Sequence, residues 1–147
     1  MRRHCLTLLV AALGIVALGL ATSSSAGDER YLVIVHPGNP IASVERGFLR
    51  NAYLRKEVDW PDGHAIQPVD LTARFPVRDQ FAHEVLNKTA AQLKSYWNQR
   101  IFSGKGAPPP EADGVDELIA YVLGHPGAVG YLPGSHDAGG AKVIEVR

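Results

Sequence analysis

The pattern of apolar and polar residues after residue 30 begins with a strand followed by a helix. Residues 31–35 form a continuous apolar run that ends at a Pro-Gly-Asn-Pro turn, which is typical of a buried strand. From Val44 to Tyr53 the apolar residues recur at three- and four-residue spacing. This spacing predicts an amphipathic helix, and the hydroxyl of Ser43 is placed to cap its first turn.

The next stretch predicts a second strand and a second helix. Residues 60–63, Trp-Pro-Asp-Gly, predict a turn, and residues 65–71 predict a strand in which Pro68 occupies an edge or a bulge. Pro76 suits the first turn of a helix, where its missing N–H costs little. The apolar stripe of that helix comprises Val77, Phe81, Val85 and Leu86.

The second half of the chain predicts two more helices and two strands. Residues 89–92 have the capping-box pattern that begins a helix, and Gly104 ends it. Asp113 is placed to cap the last helix. Residues 128–132 and 142–146 predict short strands. The alternation of strands and helices predicts an α/β fold with a small mixed sheet flanked by helices.

The residues before this region have the pattern of a cleavable export signal. Arg2 and Arg3 precede an apolar run over residues 6–21, and small residues at 24–26 predict cleavage after Ala26. A retained membrane anchor is the alternative, but a span needs about 20 apolar residues and this run is shorter. The sequence therefore predicts a signal peptide at 1–26, a single domain at 27–147 and a periplasmic location.

Charge and cysteine content limit the functions of the mature chain. The predicted leader carries two of the 15 Lys and Arg residues and none of the 15 Asp and Glu residues, so the mature net charge is about −2. This balance argues against binding to nucleic acid or to an anionic membrane. The single cysteine, Cys5, leaves with the leader, which excludes a thiol nucleophile, a disulfide and a thiolate metal site.

The sequence contains fragments of catalytic motifs, but none is complete. His83-Glu84 begins like a zinc helix motif, yet Asn87 stands where the second histidine belongs. Residues 135–137, Ser-His-Asp, are adjacent in sequence and cannot form a catalytic triad. Residues 104–106, Gly-Lys-Gly, lack the glycine spacing and the preceding strand of a phosphate loop. We therefore expect a non-catalytic protein without a metal or another cofactor.

Anion binding remains, because loops at the ends of strands meet helix starts whose free N–H groups favour negative charge. Arg74 and Arg78 flank one such loop, and their paired donors suit an oxyanion. The alternative is that both arginines are solvated or pair with Asp70, Asp79 or Glu84. The candidate ligand-binding residues are Asn39, Ser43, Thr72, Arg74, Arg78, Ser103 and Lys105.

An ordered set of short motifs runs through the chain. The motifs are Val-His-Pro-Gly-Asn-Pro at 35–40, Trp-Pro-Asp-Gly at 60–63, Ile-Gln-Pro-Val-Asp at 66–70, Phe81, Gln-Leu-Lys-Ser-Tyr-Trp at 92–97, Phe-Ser-Gly-Lys-Gly at 102–106 and Gly-Ala-Val-Gly-Tyr at 127–131. This set resembles the phosphate-binding proteins of ABC transporters. The resemblance implies one lobe of a type 2 periplasmic solute-binding fold, with three layers, and a phosphate-type oxyanion as ligand. It also implies an accessory role beside the membrane components of an ABC transporter.

The chain departs from that family at the phosphate segment. Leu71 stands where family members have an arginine, and residues 75–77 are Phe-Pro-Val in place of Ser-Gly-Thr. Family members also close two lobes on the ligand, and this chain has the length of one. A homodimer or a partner protein would then complete the site. The alternative function is a periplasmic protein–protein interaction module that keeps the fold without phosphate binding, with Trp60, Tyr96 and Trp97 as interface aromatics.

Overall fold

The computed structural model describes residues 30–147, so the predicted leader and its cleavage site lie outside the described residues. These residues form short strands, four α-helices and one π-helical segment. The strands are β1 (Tyr31–Val35), β2 (Ser43–Val44), β3 (Gln67–Pro68), β4 (Asp70–Leu71), β5 (Glu111–Ala112), β6 (Ala128–Pro133) and β7 (Lys142–Val146). The helices are α1 (Arg46–Tyr53), α2 (Pro76–Phe81), which continues into the π-helical segment Ala82–Leu86, α3 (Ala90–Phe102) and α4 (Val115–Gly124).

The main sheet has five strands in the order β2-β7-β1-β6-β3, and β4 and β5 form a separate two-stranded sheet. The central strand β1 runs antiparallel to both of its neighbours, with Tyr31 opposite Pro133 and Val35 opposite Val129 on β6. The edge strands β2 and β3 pair in parallel with β7 and β6. The predicted α/β fold with a mixed sheet is confirmed.

Two successive residues of β6 show that helices cover both faces of the sheet. A Cβ atom placed on Gly130 would come within 2.7 Å of Leu118 on α4. The next residue, Tyr131, points to the other face, because side chains alternate along a strand. Its ring stacks on Phe81 at a centroid distance of 3.9 Å, and Phe81 also meets Tyr53 of α1. The three layers that the resemblance implied are therefore present.

Two predicted caps are wrong. Ser43 belongs to β2, and α1 begins only at Arg46, with Glu45 as an N-cap that makes no side-chain hydrogen bond. Pairing with β7 holds Ser43 and its neighbour in extended backbone, which excludes a helical turn there. At α4 the N-cap is Gly114, and the backbone N–H of Asp113 donates to Glu117 Oε2 at 2.7 Å.

The predicted strand over residues 65–71 divides into β3 and β4, which belong to different sheets. The N–H of Val69 still donates to the carbonyl of Val129, but the next N–H, that of Asp70, donates to the carbonyl of Pro110. The chain therefore changes partners between these two residues. Pro68 lies in the edge strand β3, as predicted, since an edge position needs no donor on the open side.

The capping box at the start of α3 is confirmed and predicts a measurable loss of stability on mutation. The N–H of Gln92 donates to Thr89 Oγ1 at 3.3 Å, and the N–H of Thr89 donates to Gln92 Oε1 at 2.9 Å. We expect Thr89→Ala to lower the free energy of unfolding by about 1 kcal/mol in urea titration, because it leaves a helix donor unpaired. Thr89→Ser, which keeps the hydroxyl, is the control. Equal losses in both variants would contradict a capping role.

Candidate functional site

A cleft of about 270 Å³ lies between α2, α3 and the proline-rich segment before β5. Pockets for drug-sized ligands have volumes of roughly 300–1,000 Å³, so this cleft suits a small ligand. Its walls combine apolar surface with both signs of charge. The lining residues are Tyr53, Asp70, Ala73, Arg78, Asp79, Ala82, Ala90, Leu93, Lys94, Trp97, Pro108, Pro109 and Glu111.

The guanidinium of Arg78 on α2 is the central cation of this cleft. Its Nη2 lies 3.2 Å from Asp70 Oδ2 and 2.5 Å from Glu111 Oε1, and its Nε donates to Asp70 Oδ2 at 3.3 Å. Burial acts to lower the pKa of Arg78, but the charges of the two carboxylates outweigh burial and raise it. The side chain therefore stays charged, with a carboxylate from each strand of the small sheet against it.

The two carboxylates differ in how firmly they are held. Asp70 Oδ1 accepts hydrogen bonds from the hydroxyl of Tyr131 and from the backbone N–H of Leu71. Burial, together with the Asp70 charge, raises the pKa of Tyr131, so this hydroxyl keeps its proton. Glu111 is exposed over 44% of its side chain, against 16% for Asp70. Glu111 is therefore the carboxylate that a competing anion would displace at lower cost.

Thr72 follows β4 directly and carries a buried hydroxyl. Its Oγ1 is shielded from solvent and has no hydrogen-bond partner among the described residues. The backbone holds the residue firmly, because its N–H donates to the carbonyl of Ala112 and its carbonyl accepts from the N–H of Phe75. A buried hydroxyl without a partner costs about 1–3 kcal/mol, so it marks a position where a ligand atom would be favourable.

The sheet topology separates two predicted ligand residues, Asn39 and Ser43, from the cleft. Because β1 runs antiparallel to β6 while β3 runs parallel to it, the loop after β1 lies at the opposite edge of the sheet from Thr72. Asn39 is buried there, where its Oδ1 accepts from the N–H of Ile41 and its carbonyl accepts from Lys142 Nζ. Ser43 lies in β2, beside an apolar groove.

The other predicted ligand residues are exposed. Arg74 lies with its guanidinium carbon 5.1 Å from the ring centroid of Phe75. Ser103 and Lys105 follow the end of α3, and the Ser103 hydroxyl donates to the carbonyl of Arg100. Of the seven predicted residues, the structure brings Thr72, Arg74 and Arg78 together in one segment, and of these three Arg78 lines the cleft. The ligand roles of all seven stay predictions.

Glu111 is the cleft residue that sequence reasoning missed. Arg78 was predicted to bind an oxyanion, with solvation or pairing to Asp70, Asp79 or Glu84 as the alternative, and the structure shows the pairing with Asp70. Glu111 lies 33 residues from Arg78 and reaches it only because β4 and β5 pair in parallel. No spacing rule links residues so far apart, and the prolines before Glu111 concealed a strand of two residues.

The three predicted interface aromatics have different environments. Trp60 is 3% exposed, and its Nε1 donates to the carbonyl of Gly127, so it belongs to the core and cannot serve as an interface residue. The prediction for Trp60 is therefore wrong. Tyr96 and Trp97 on α3 are half-buried, and Trp97 forms one wall of the cleft.

Residues 30–147 contain neither a metal-binding cluster nor a membrane-spanning helix. No group of three or more His, Asp, Glu or Cys side chains in this part of the chain is arranged to hold a metal ion. No helix in the same residues is long and apolar enough to cross a bilayer.

Comparison with solved structures identifies similar folds, although no protein-family model and no curated protein sequence matches the chain. A phosphate ABC transporter substrate-binding protein from Clostridium perfringens, with bound phosphate, aligns with a TM-score of 0.63 at 20% identity. An ABC-type phosphate transport receptor from Vibrio cholerae aligns with a TM-score of 0.62, also at 20% identity. PstS from Borrelia burgdorferi aligns with a TM-score of 0.60 at 13% identity.

The alignments cover most of this chain and less than half of each neighbour. They include 79% of this chain with 44% of the C. perfringens protein and 45% of the V. cholerae protein, and 80% with 47% of the B. burgdorferi protein. The chain therefore has the fold of one part of a periplasmic solute-binding protein. The fold implied by the motif resemblance is confirmed.

Proposed function

We propose that this chain is an exported, non-catalytic binding protein for phosphate or a similar oxyanion, accessory to an ABC transporter. The observation that carries the proposal is the segment from the end of β4 into α2, which contains the half-buried cation of Arg78 and the Thr72 hydroxyl, which has no hydrogen-bond partner among residues 30–147. Its fold is that of part of proteins described as phosphate-binding, which supports the same ligand class. The leader pattern supports a periplasmic location.

The oxyanion would bind where Glu111 now contacts the guanidinium. An arginine presents five donors in a planar fork, and charge-assisted bonds to a phosphate oxygen are roughly twice as strong as neutral ones. Asp70 keeps Arg78 in place from the other side, because its second oxygen is bound by Tyr131 and the backbone. Pro76 provides no N–H at the start of α2, so side chains must supply more of the binding than in a glycine-rich loop.

The direct test is isothermal titration of inorganic phosphate into residues 27–147, with sulfate as the control anion. These residues contain every described element. Saturable heat that is selective for phosphate would support the proposal. No heat with either anion would refute oxyanion binding by this chain, and equal heat with sulfate would refute selectivity for phosphate. The titration is run at protein concentrations high enough to populate a dimer, so that a site formed by two copies is also detected.

Replacing Glu111 with glutamine is expected to tighten phosphate binding. Glu111 is the exposed carboxylate on Arg78, and the phosphate has to displace it. Exposed ion pairs are worth about 0.2–1 kcal/mol, so we expect a Kd about 1.5- to 5-fold lower in the same titration. Glu145→Gln on β7 removes another exposed, ion-paired carboxylate away from the cleft and is the control. Weaker binding by Glu111→Gln would contradict the displacement step.

A second candidate function follows from the charges of the cleft. Asp70, Asp79 and Glu111 line it beside the cations Arg78 and Lys94, and Arg78 is already occupied. This arrangement favours an interaction module that has lost phosphate binding, with another periplasmic protein or a transporter component as partner. Sedimentation equilibrium of residues 27–147 with and without phosphate separates the candidates. A phosphate-dependent dimer supports oxyanion binding, and a phosphate-insensitive monomer supports the interaction module.

A further inference from the structure

Helix α3 lies outside the core and ends in two exposed apolar side chains. None of its 13 residues is buried. Ile101 is 54% exposed and Phe102 is 92% exposed, although both are large hydrophobic residues. The hydroxyl of Tyr96 donates to the carbonyl of Leu54 at 2.6 Å, which attaches the helix to the end of α1. The C-terminal end of α3 therefore presents apolar surface that the rest of the described chain leaves uncovered.

The segments around this helix end are strongly basic. Residues 88–105 contain Lys88, Lys94, Arg100 and Lys105 and no acidic residue. Arg55 and Lys56 follow α1 beneath α3 and add two further cations, and Glu57 comes next. The net charge of the whole chain is zero, so most of its acidic residues lie in other segments. Positive charge is therefore concentrated along α3 and the loop that follows it, although the net charge of the chain does not show this.

Two of these cations, Lys88 and Arg100, contact the aromatic ring of Tyr96. The charged ends of Lys88 and Arg100 lie 5.6 Å and 5.5 Å from the ring centroid of Tyr96. Arg100 Nη2 donates to the carbonyl of Lys105 at 2.8 Å and to that of Arg55 at 3.4 Å. The loop after α3 is thus fixed against the helix and against α1. We name Ile101, Phe102 and Lys105 the α3 tip.

We propose that the α3 tip binds the surface of an anionic phospholipid bilayer. Lysines near such a surface are attracted by lipid headgroups, and apolar side chains beside them enter the boundary between headgroups and acyl chains. Phe102 projects from the surface, and a fluid bilayer admits a projecting ring of any shape, whereas a protein partner needs a matching pocket. The absence of acidic residues from residues 88–105 removes the repulsion that would oppose docking.

The proposal is tested by co-sedimentation of residues 27–147 with vesicles, without phosphate in the buffer. We expect binding to vesicles of phosphatidylglycerol mixed with phosphatidylcholine, no binding to phosphatidylcholine alone, and a loss of binding as salt rises. Lys105→Gln should weaken the vesicle partition coefficient about fivefold. Phe102→Ser should weaken it by a similar or larger factor without unfolding the protein, because the side chain contributes no buried surface to the core.

Matched substitutions elsewhere separate a specific surface from general adhesion. Leu123→Ser removes another partly exposed apolar side chain, on α4, and Arg147→Gln removes an exposed cation at the C-terminus. Neither should change vesicle binding. Equal binding to neutral vesicles, or equal losses in the control variants, would overturn the proposal. Absence of vesicle binding would also overturn it and would leave an acidic protein surface as the complement of the α3 tip. The phosphate affinity of the same variants is measured separately, and it tests the cleft and not the α3 tip.

Discussion

Replacement of Phe81 by alanine is expected to lower the free energy of unfolding by about 3–5 kcal/mol, the usual cost of removing a buried aromatic ring. Phe81 is 1% exposed and joins the helical layer to the sheet. Its ring stacks on Tyr131 at 3.9 Å and meets Tyr53 and Tyr31 edge-on at 4.9 Å and 5.4 Å. Truncation therefore removes three aromatic contacts and leaves a cavity beneath α2.

Chemical denaturation of the Phe81→Ala variant measures this loss, and the chain provides a matched control. Phe102→Ala is the same substitution at a side chain that is 92% exposed, and we expect it to change stability by less than about 0.5 kcal/mol. Similar losses in the two variants would show that the aromatic cluster does not support the fold. The Phe81 variant should also lose order at Tyr131, which near-ultraviolet circular dichroism detects.

Replacement of Arg78 by glutamine is expected to weaken phosphate binding by about 10- to 150-fold. A hydrogen bond to a charged group contributes about 1.5–3 kcal/mol, and the half-buried guanidinium of Arg78 lines the cleft. The same change leaves Asp70 without its ion-pair partner, although Tyr131 and the backbone of Leu71 still bind this carboxylate. A smaller loss of stability should therefore accompany the loss of affinity.

Two variants identify the source of the Arg78 effect in titration calorimetry. Arg74→Gln removes an exposed arginine four residues earlier, and we expect a much smaller change because its guanidinium lies against Phe75. Arg78→Lys keeps the charge and loses the planar fork, so its affinity should be intermediate. Unchanged phosphate affinity in an Arg74→Ala, Arg78→Ala double variant would refute a role for either arginine. Unfolding measured on the same samples excludes misfolding as the cause.

Local sequence signals predicted most elements, because their causes lie within a few residues. The apolar run of β1, the proline at the first turn of α2 and the capping box of α3 are confirmed at the predicted positions. The errors occur where a distant strand decides the backbone. Ser43 is extended because β7 pairs with it, and the strand at 65–71 divides because β5 takes over its hydrogen bonds after Val69.

The candidate site was predictable in part. Its cation, Arg78, and its hydroxyl, Thr72, lie in one short segment that the sequence marked as the start of a helix. The charge that occupies Arg78 comes from Glu111, which only the pairing of β4 with β5 brings near. The concentration of positive charge along α3 was not predicted either, because a net charge is a sum over the whole chain and does not show where the charges lie.

The sequence by itself determined the layered α/β fold and the types of its main elements, since apolar periodicity and caps act over one or two turns of chain. It also identified the incomplete catalytic motifs. Only the tertiary structure decided which loops share an edge of the sheet, because the antiparallel direction of β1 sends Asn39 away from the cleft. Tertiary contacts likewise decided that Trp60 is core and that Phe102 is exposed, since burial depends on what packs against a residue.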